Sequence, residues 1–373
     1  MRFETLAVHA GGEPDAETGA IAPPIHMATT FRHGPAGERQ AGFEYVREGN
    51  PTQERLETAL AALEQGEAAL AFGSGMAAMT ALLESLPAGT TVLIPTDCYT
   101  GLRVLAEEFL PRCGVNAIAT DMADLAAVDT RLRAGAHAVW LETPSNPQLQ
   151  LADIAAIAAL AKNAGAALFC DNTFATPALQ RPLSLGADVV MHSTTKYFGG
   201  HSDVMGGALV FARGDTLYAR VAHRRHVTGG VLAPFNAWMT LRGLRSLPAR
   251  MSWHCANARR IAEFLAGHAR VVAVNYPGLA DHAGHAIARR QMSDFGAMLS
   301  FRVAGGRDAA LAAAGRLQLI HNATSLGGCE TLIEHRASVE GTNPVSPQDL
   351  LRLSVGLEHA DDLIADLDQA LTG

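Results

Sequence analysis

From about residue 66 to residue 245, short apolar runs alternate with stretches whose apolar residues recur at helical spacing. The runs Ala68–Phe72, Thr91–Ile94, Ala138–Leu141, Ala167–Cys170, Asp188–Met191 and Ala208–Phe211 read as buried strands. The segments Met76–Ser85 and Ile154–Ala164 read as helices between them. Strands that alternate with helices need crossover connections, so the pattern predicts a large, mostly parallel sheet with helices on both faces. Sites in such sheets form at the carboxyl ends of the strands. Polar residues cluster there: Tyr99, Glu142-Thr-Pro-Ser-Asn-Pro147, Asp171-Asn-Thr-Phe174 and His192–Lys196.

Outside this region the pattern changes. Residues 1–50 are rich in proline and glycine and read as an irregular arm. A helix is expected after Pro51, with Thr52 as its N-cap and Leu56, Leu60 and Leu63 on one face. Trp238–Ala266 reads as a long linking helix or a helix pair. Met298–Val303 and Leu351–Val355 read as strands, and Asp361–Leu371 as a closing helix with acids in its first turn. The expected organisation is an arm (1–50), a large domain (51–245) and a smaller C-terminal α/β domain (246–373). No repeat, low-complexity tract or heptad run interrupts it.

A length of 373 residues and 48% hydrophobic content support a large buried core in two domains. The net charge of -8 argues against a nucleic-acid partner, which needs a basic face. No long apolar run predicts a membrane span, and the first residues lack an apolar signal segment, so the cytoplasm is the expected compartment. Five cysteines without a Cys-x-x-Cys pair predict free thiols. The fifteen histidines show no metal-ligand spacing, and no metal is expected.

Lysine usage sharpens the picture. Of 29 Lys+Arg, only Lys162 and Lys196 are lysines. Arginine supplies charge but no titratable amine able to condense with an aldehyde. Lys162 lies near the end of an alanine-rich helix and reads as a solvated surface residue. Lys196 follows a buried-looking strand and precedes glycines, as a site residue would. A pyridoxal 5′-phosphate site needs such an amine, a carboxylate against the ring nitrogen, an anion cradle, a stacking ring and a cation for the substrate carboxylate. Asp171 ends an apolar strand and suits the second role, with a turn or cap as the alternative. Phe72-Gly-Ser-Gly-Met76 precedes a helix, whose free amides bind anions. Ser193 and Thr195 could complete that cradle or simply bond the strand end. Tyr99 could stack on the ring or merely pack.

These residues resemble the pyridoxal-phosphate enzymes of cysteine and methionine metabolism, the group of cystathionine γ-synthases, γ-lyases and β-lyases. The resemblance rests on Asp188-Val-x-x-x-Ser193-x-Thr195-Lys196-Tyr197-Phe198-x-Gly200-His201-Ser202, on Asp171-Asn-Thr-Phe-Ala-Thr-Pro177, on Tyr45-x-Arg47-x-Gly-Asn-Pro-Thr52, on Ser145-Asn146-Pro147 and on Ser325-Leu-Gly-Gly328. It implies the aspartate-aminotransferase-like fold (fold type I), a small amino-acid substrate and a homotetramer made of two active dimers. By the same resemblance, Lys196 holds the cofactor covalently and moves protons, Asp171 pairs with the ring nitrogen, and Tyr99 stacks on the ring. Gly75, Met76, Ser193 and Thr195 hold the phosphate. Tyr45 and Arg47 reach the phosphate of the neighbouring subunit. Arg352 clamps the substrate carboxylate, and Asn146 and Ser325 orient cofactor and substrate.

The chain departs from the family pattern at three places. Thr324 stands where many members carry glutamate before Ser-Leu-Gly-Gly, at the substrate's distal end. Thr100 replaces a glycine, and Arg103 is one position from a substrate-binding arginine. The resemblance therefore implies trans-sulfuration chemistry of the γ-synthase or γ-lyase kind, with β-lyase, methionine γ-lyase and, more remotely, transaminase activity as alternatives.

Overall fold

The fold was analysed in a computed structural model that describes residues 1–341 and 344–373. Seven strands build the larger sheet: β1 (Ala68–Phe72), β2 (Thr91–Pro95), β3 (Asn116–Thr120), β4 (Ala138–Glu142), β5 (Ala167–Asp171), β6 (Val189–His192) and β7 (Gly207–Phe211). Their spatial order is β1-β7-β6-β5-β4-β2-β3. Only β7 runs against its neighbours, since it pairs antiparallel with both β1 and β6 while the other pairings are parallel. Every residue of β4 and β7 is buried, as expected of strands covered on both faces.

Strand β3 has no counterpart in the expectations from sequence. It is an edge strand, and Asn-Ala-Ile-Ala-Thr is mostly not buried, so it lacks the apolar run that marks the central strands. Helix starts follow capping chemistry. Ser74 Oγ accepts from the backbone amide of Ala77 at the head of Gly75–Leu83, and Asp153 does the same for Ile154–Ala164. The helix Pro51–Glu64 corrects one expectation. Its N-cap is Asn50, whose side chain accepts from Thr52 N, and Pro51 takes the first helical position. The Thr52 hydroxyl instead accepts from His26 N and ties down the arm. The arm is not wholly irregular either, because Phe3–His9 forms a helix.

A second sheet contains β8 (Val271–Asn275), β9 (Met298–Val303), β10 (His321–Asn322), β11 (Leu332–His335) and β12 (Leu350–Ser354), in the order β10-β11-β12-β9-β8. The region Trp238–Ala266 resolves into a helix pair, Pro234–Leu244 and Leu247–Ala266. Gly243 lets the first of these approach the lysine loop, because a Cβ there would lie 2.1 Å from the carbonyl oxygen of Phe198. Arg250, in the second helix, donates from Nη1 to the Tyr197 carbonyl at 2.8 Å. One apolar cluster runs from Leu56 and Val210 through Met251 to Phe301 and Leu353, so both sheets share a continuous core.

Candidate active site

At the carboxyl ends of the central strands lies a cavity of about 290 Å³, whose far wall comes from the second sheet. Strand register fixes its floor. Glu142, the last residue of β4, pairs with Asp171, the last of β5, and Asp171 pairs with Met191 of β6. Burial raises the Asp171 carboxyl above the usual carboxylate range, against the pull of hydrogen bonds from Thr173. Glu142 is raised well above that range by burial and then by Asp171. Two buried acids side by side favour the neutral form of one or both unless a cation joins them.

Lys196 follows β6 through the turn residues 193–195 and lines the cavity. Its Nζ donates to Ser325 Oγ at 2.7 Å. Burial, and then the nearby Arg352 guanidinium, push its pKa down to about 8. Ser325 carries a positive φ of 91°, a backbone state that costs a non-glycine residue about 1–3 kcal/mol. Gly327, two residues on, also has a positive φ, and a Cβ there would meet Tyr197 N at 2.7 Å. The chain therefore passes tightly against the lysine loop and presents the serine hydroxyl to the amine.

Arg352 enters from β12 and is buried. Its Nη1 donates to Asn146 Oδ1 at 3.0 Å, its Nη2 donates to the Ser325 carbonyl at 3.2 Å, and Nη2 lies 2.9 Å from Glu334 Oε2. Glu334 on β11 faces Arg352 directly across the ladder. Asn146 thus acts on the guanidinium and is not itself on the cavity wall. Removing Glu334 would strand buried positive charge, a change that costs about 3–5 kcal/mol.

The opposite end of the cavity has a different chemistry. Ser74, Gly75, Met76, Ser193 and Thr195 line it beside the amide-rich start of the helix Gly75–Leu83. A Cβ on Gly75 would approach Ser193 Cβ to 3.0 Å, so glycine allows the turn to close on the lysine loop. The Thr195 hydroxyl bonds both the carbonyl and the amide of Gly206, which fixes the strand end while the residue lines the cavity. Tyr99 lines the cavity and its backbone amide donates to Glu142 Oε2 at 2.8 Å.

Other expected positions are sorted by the same geometry. Thr324 is on the cavity wall, whereas Thr100 and Arg103 do not line it, with Arg103 Nη2 3.4 Å from Thr100 Oγ1. Tyr45 and Arg47 do not line this chain's cavity. Arg47 stacks over the Tyr45 ring at 5.4 Å and donates to the carbonyl of His226. Lys162 is exposed in the last turn of its helix, and all five cysteines are free. Among the described residues no cluster could hold a metal, and no helix is long and apolar enough to cross a membrane.

The model of the Cys/Met-metabolism PLP-dependent enzymes matches residues 4–372. The chain belongs to this family. Among similar proteins, the cystathionine gamma-synthase of Mycobacterium tuberculosis is 48% identical over 98% of this chain and 96% of its own. The cystathionine gamma-lyase of Bacillus subtilis is 40% identical over 100% of this chain and 99% of its own. The structure of cystathionine gamma synthase from Xanthomonas oryzae, solved in complex with cystathionine, superposes with a TM-score of 0.96 at 42% identity, covering 100% of this chain and 98% of that one. The protein is thus a pyridoxal-phosphate-dependent trans-sulfuration enzyme that acts on a small amino-acid substrate. Its fold is that of the PLP-dependent cystathionine synthases and lyases.

The polar residues at the site that were not singled out from sequence include Glu142, Thr173 and Arg336 on the cavity wall and Glu334 beside Arg352. Glu142 and Thr173 lay inside polar clusters already noted, without roles. Glu334 was detectable only through pairing, because a buried arginine on one strand requires an acid opposite it.

Proposed function

We propose that Lys196 carries pyridoxal phosphate covalently and that the enzyme performs γ-replacement, joining an activated homoserine to the thiol of cysteine. The observation that carries this reading is the Lys196 amine, hydrogen-bonded to Ser325 in a cavity shared with Asp171 and Arg352. The synthase direction is favoured by similarity: the cystathionine gamma-synthase relative is 48% identical, and the lyase relatives are 40–41% identical.

The residues fit the cofactor. The raised carboxyl of Asp171 is what a cationic ring nitrogen would relieve, and Asp171 would hold the proton on that nitrogen. The helix start at Gly75 and Met76, with Ser193 and Thr195, would receive the phosphate. Tyr99 would cover the ring. When bound, pyridoxal phosphate supplies an electron sink for negative charge at the substrate's α-carbon.

The chain's own groups do the rest. Arg352, held by Glu334 and Asn146, orients the substrate α-carboxylate through paired donors. Once the substrate amine has replaced it on the cofactor, Lys196 would be free to accept the α-proton, and its lowered pKa makes the free amine accessible near neutral pH. Ser325 keeps that amine in place.

The active unit in this reading is a dimer within a homotetramer, with Tyr45 and Arg47 completing the phosphate site of the neighbouring subunit. Support comes from exposed apolar residues on the arm, with Ile21 71% and Met27 62% exposed, which an assembly would cover. Five free thiols fit a cytoplasmic location.

Borohydride reduction followed by peptide mapping tests the attachment, and the label is expected on Lys196 and absent from Lys196→Ala. Supplying L-cystathionine, O-succinyl-L-homoserine with cysteine, O-acetyl-L-homoserine with cysteine, and L-methionine in turn identifies the reaction by product mass. Cystathionine as main product supports the synthase reading; 2-oxobutyrate or pyruvate as main product points to a lyase instead.

A further inference from the structure

We propose that Arg336 is a second carboxylate-binding residue of the same cavity, matched to a substrate whose γ-substituent ends in an acid group. The inference deepens the reading above and rests on it. Arg336 opens the short helix Arg336–Val339 immediately after β11. The chain turns there, so Arg336 returns beside Glu334, two residues earlier. Arg336 Nη1 lies 2.6 Å from Glu334 Oε2, the same oxygen that Arg352 Nη2 approaches to 2.9 Å.

Two guanidiniums on one carboxylate oxygen leave donors to be answered. The other groups around Arg336 balance its charge but do not take up those donors fully. Glu340 is 3.8 Å from Nη2, and its oxygens already accept from Val345 N, Ser346 N and the Ser346 hydroxyl. Thr100 Oγ1 is 3.4 Å from Nη2, a long contact with a neutral group. Glu142 shares the cavity, but burial and Asp171 favour its uncharged form. Arg336 is 7% exposed, lines the cavity, and its buried Nε has no hydrogen-bond partner among the described residues.

A guanidinium offers five donors in a rigid fork, and a carboxylate is the ligand that uses them in pairs. Arg352 takes the α-carboxylate in the reading above, which leaves Arg336 for an acid farther along the substrate. That chemistry is shared by a succinyl ester of homoserine and by cystathionine. An acetyl ester and methionine lack it.

The test compares wild-type holoenzyme with Arg336→Gln and Arg336→Lys on O-succinyl- and O-acetyl-L-homoserine, each with cysteine, and on L-cystathionine. In Arg336→Gln, KM for the succinyl ester or for cystathionine is expected to rise about 10- to 100-fold, the range for losing a charge-assisted hydrogen bond. KM for the acetyl ester should move less than about 3-fold, and Arg336→Lys should restore part of the loss. Equal damage to all substrates would mean that Arg336 only braces Glu334 and Arg352, and would overturn the proposal, as would no change at all. A binding measurement separates this from the activity itself. By calorimetry, glutarate should bind wild-type holoenzyme at least about tenfold more tightly than butyrate, and Arg336→Gln should remove the difference. Equal binding of the two acids to wild type rejects the second site. If no substrate turns over in wild type, the reaction assignment fails, while the glutarate comparison still judges Arg336.

Discussion

Burial is the first influence on the Lys196 ammonium, and it lowers the pKa from 10.5 to about 8. The sign of the consequence is fixed. Between pH 8 and 10.5 the unfolded chain holds a proton that the native lysine has released, so the stability of the cofactor-free protein rises with pH through that window. Below about pH 8 the cost of burying the charge is fully present. The rate of covalent attachment of added pyridoxal phosphate should therefore climb about tenfold per pH unit up to about 8 and then level. Absorbance-monitored mixing checks this, and a rate that levels only near 10.5 would contradict the buried amine. Thr324 offers a second test on the cavity wall. Thr324→Glu should shift the ratio of kcat/KM toward cystathionine over O-acetyl-L-homoserine by about tenfold, as one charged hydrogen bond to a far amino group would. An unchanged ratio removes that position from substrate choice. Lys196 and Asp171 were legible in the sequence because rarity and an acid at the end of an apolar strand each demand an explanation. Glu334 and Arg336 were not, because their meaning comes from Arg352 across a ladder that no local pattern displays.

At the scale of elements, the turn after β1 is held by the one reversed strand of the large sheet. A Cβ on Gly207, at the start of β7, would lie 2.1 Å from the Ser74 carbonyl oxygen and 2.7 Å from Gly75 N, both backbone atoms. Gly207→Ala should cost about 1–3 kcal/mol of stability, the usual range for overpacking, and weaken cofactor binding by displacing the helix start. Gly214→Ala meets nothing within 4 Å and serves as the control for thermal unfolding and cofactor titration. Equal behaviour of the two variants would show that the turn has slack. Central strands were read from sequence to within a residue or two because full burial writes a continuous apolar run. Strand β3 escaped because an edge strand needs none. The helix Pro51–Glu64 was found, but its cap was placed two residues late. Both Asn50 and Thr52 are capping types, and only the backbone decides between them.

For the whole molecule, the decisive question is whether Arg47 serves its own chain or another. Mixing Arg47→Ala with Lys196→Ala subunits answers it. If Tyr45 and Arg47 complete the neighbour's site, each mixed dimer contains one site with both changes and one intact site. Two nearly inactive proteins should then regain activity approaching about a quarter of wild type after exchange of subunits at random. No recovery, with mixed oligomers verified by mass, would confine each site to a single chain.

The cavity has walls from distant parts of the chain: Asp171 and Lys196 belong to the large sheet, while Ser325 and Arg352 arrive with the second. During synthesis, the amine and its acid partner emerge from the ribosome well before the guanidinium does. A chain cut short before residue 325 would lack the guanidinium, the serine that positions the amine and part of the shared core, so the cavity exists only in the completed fold.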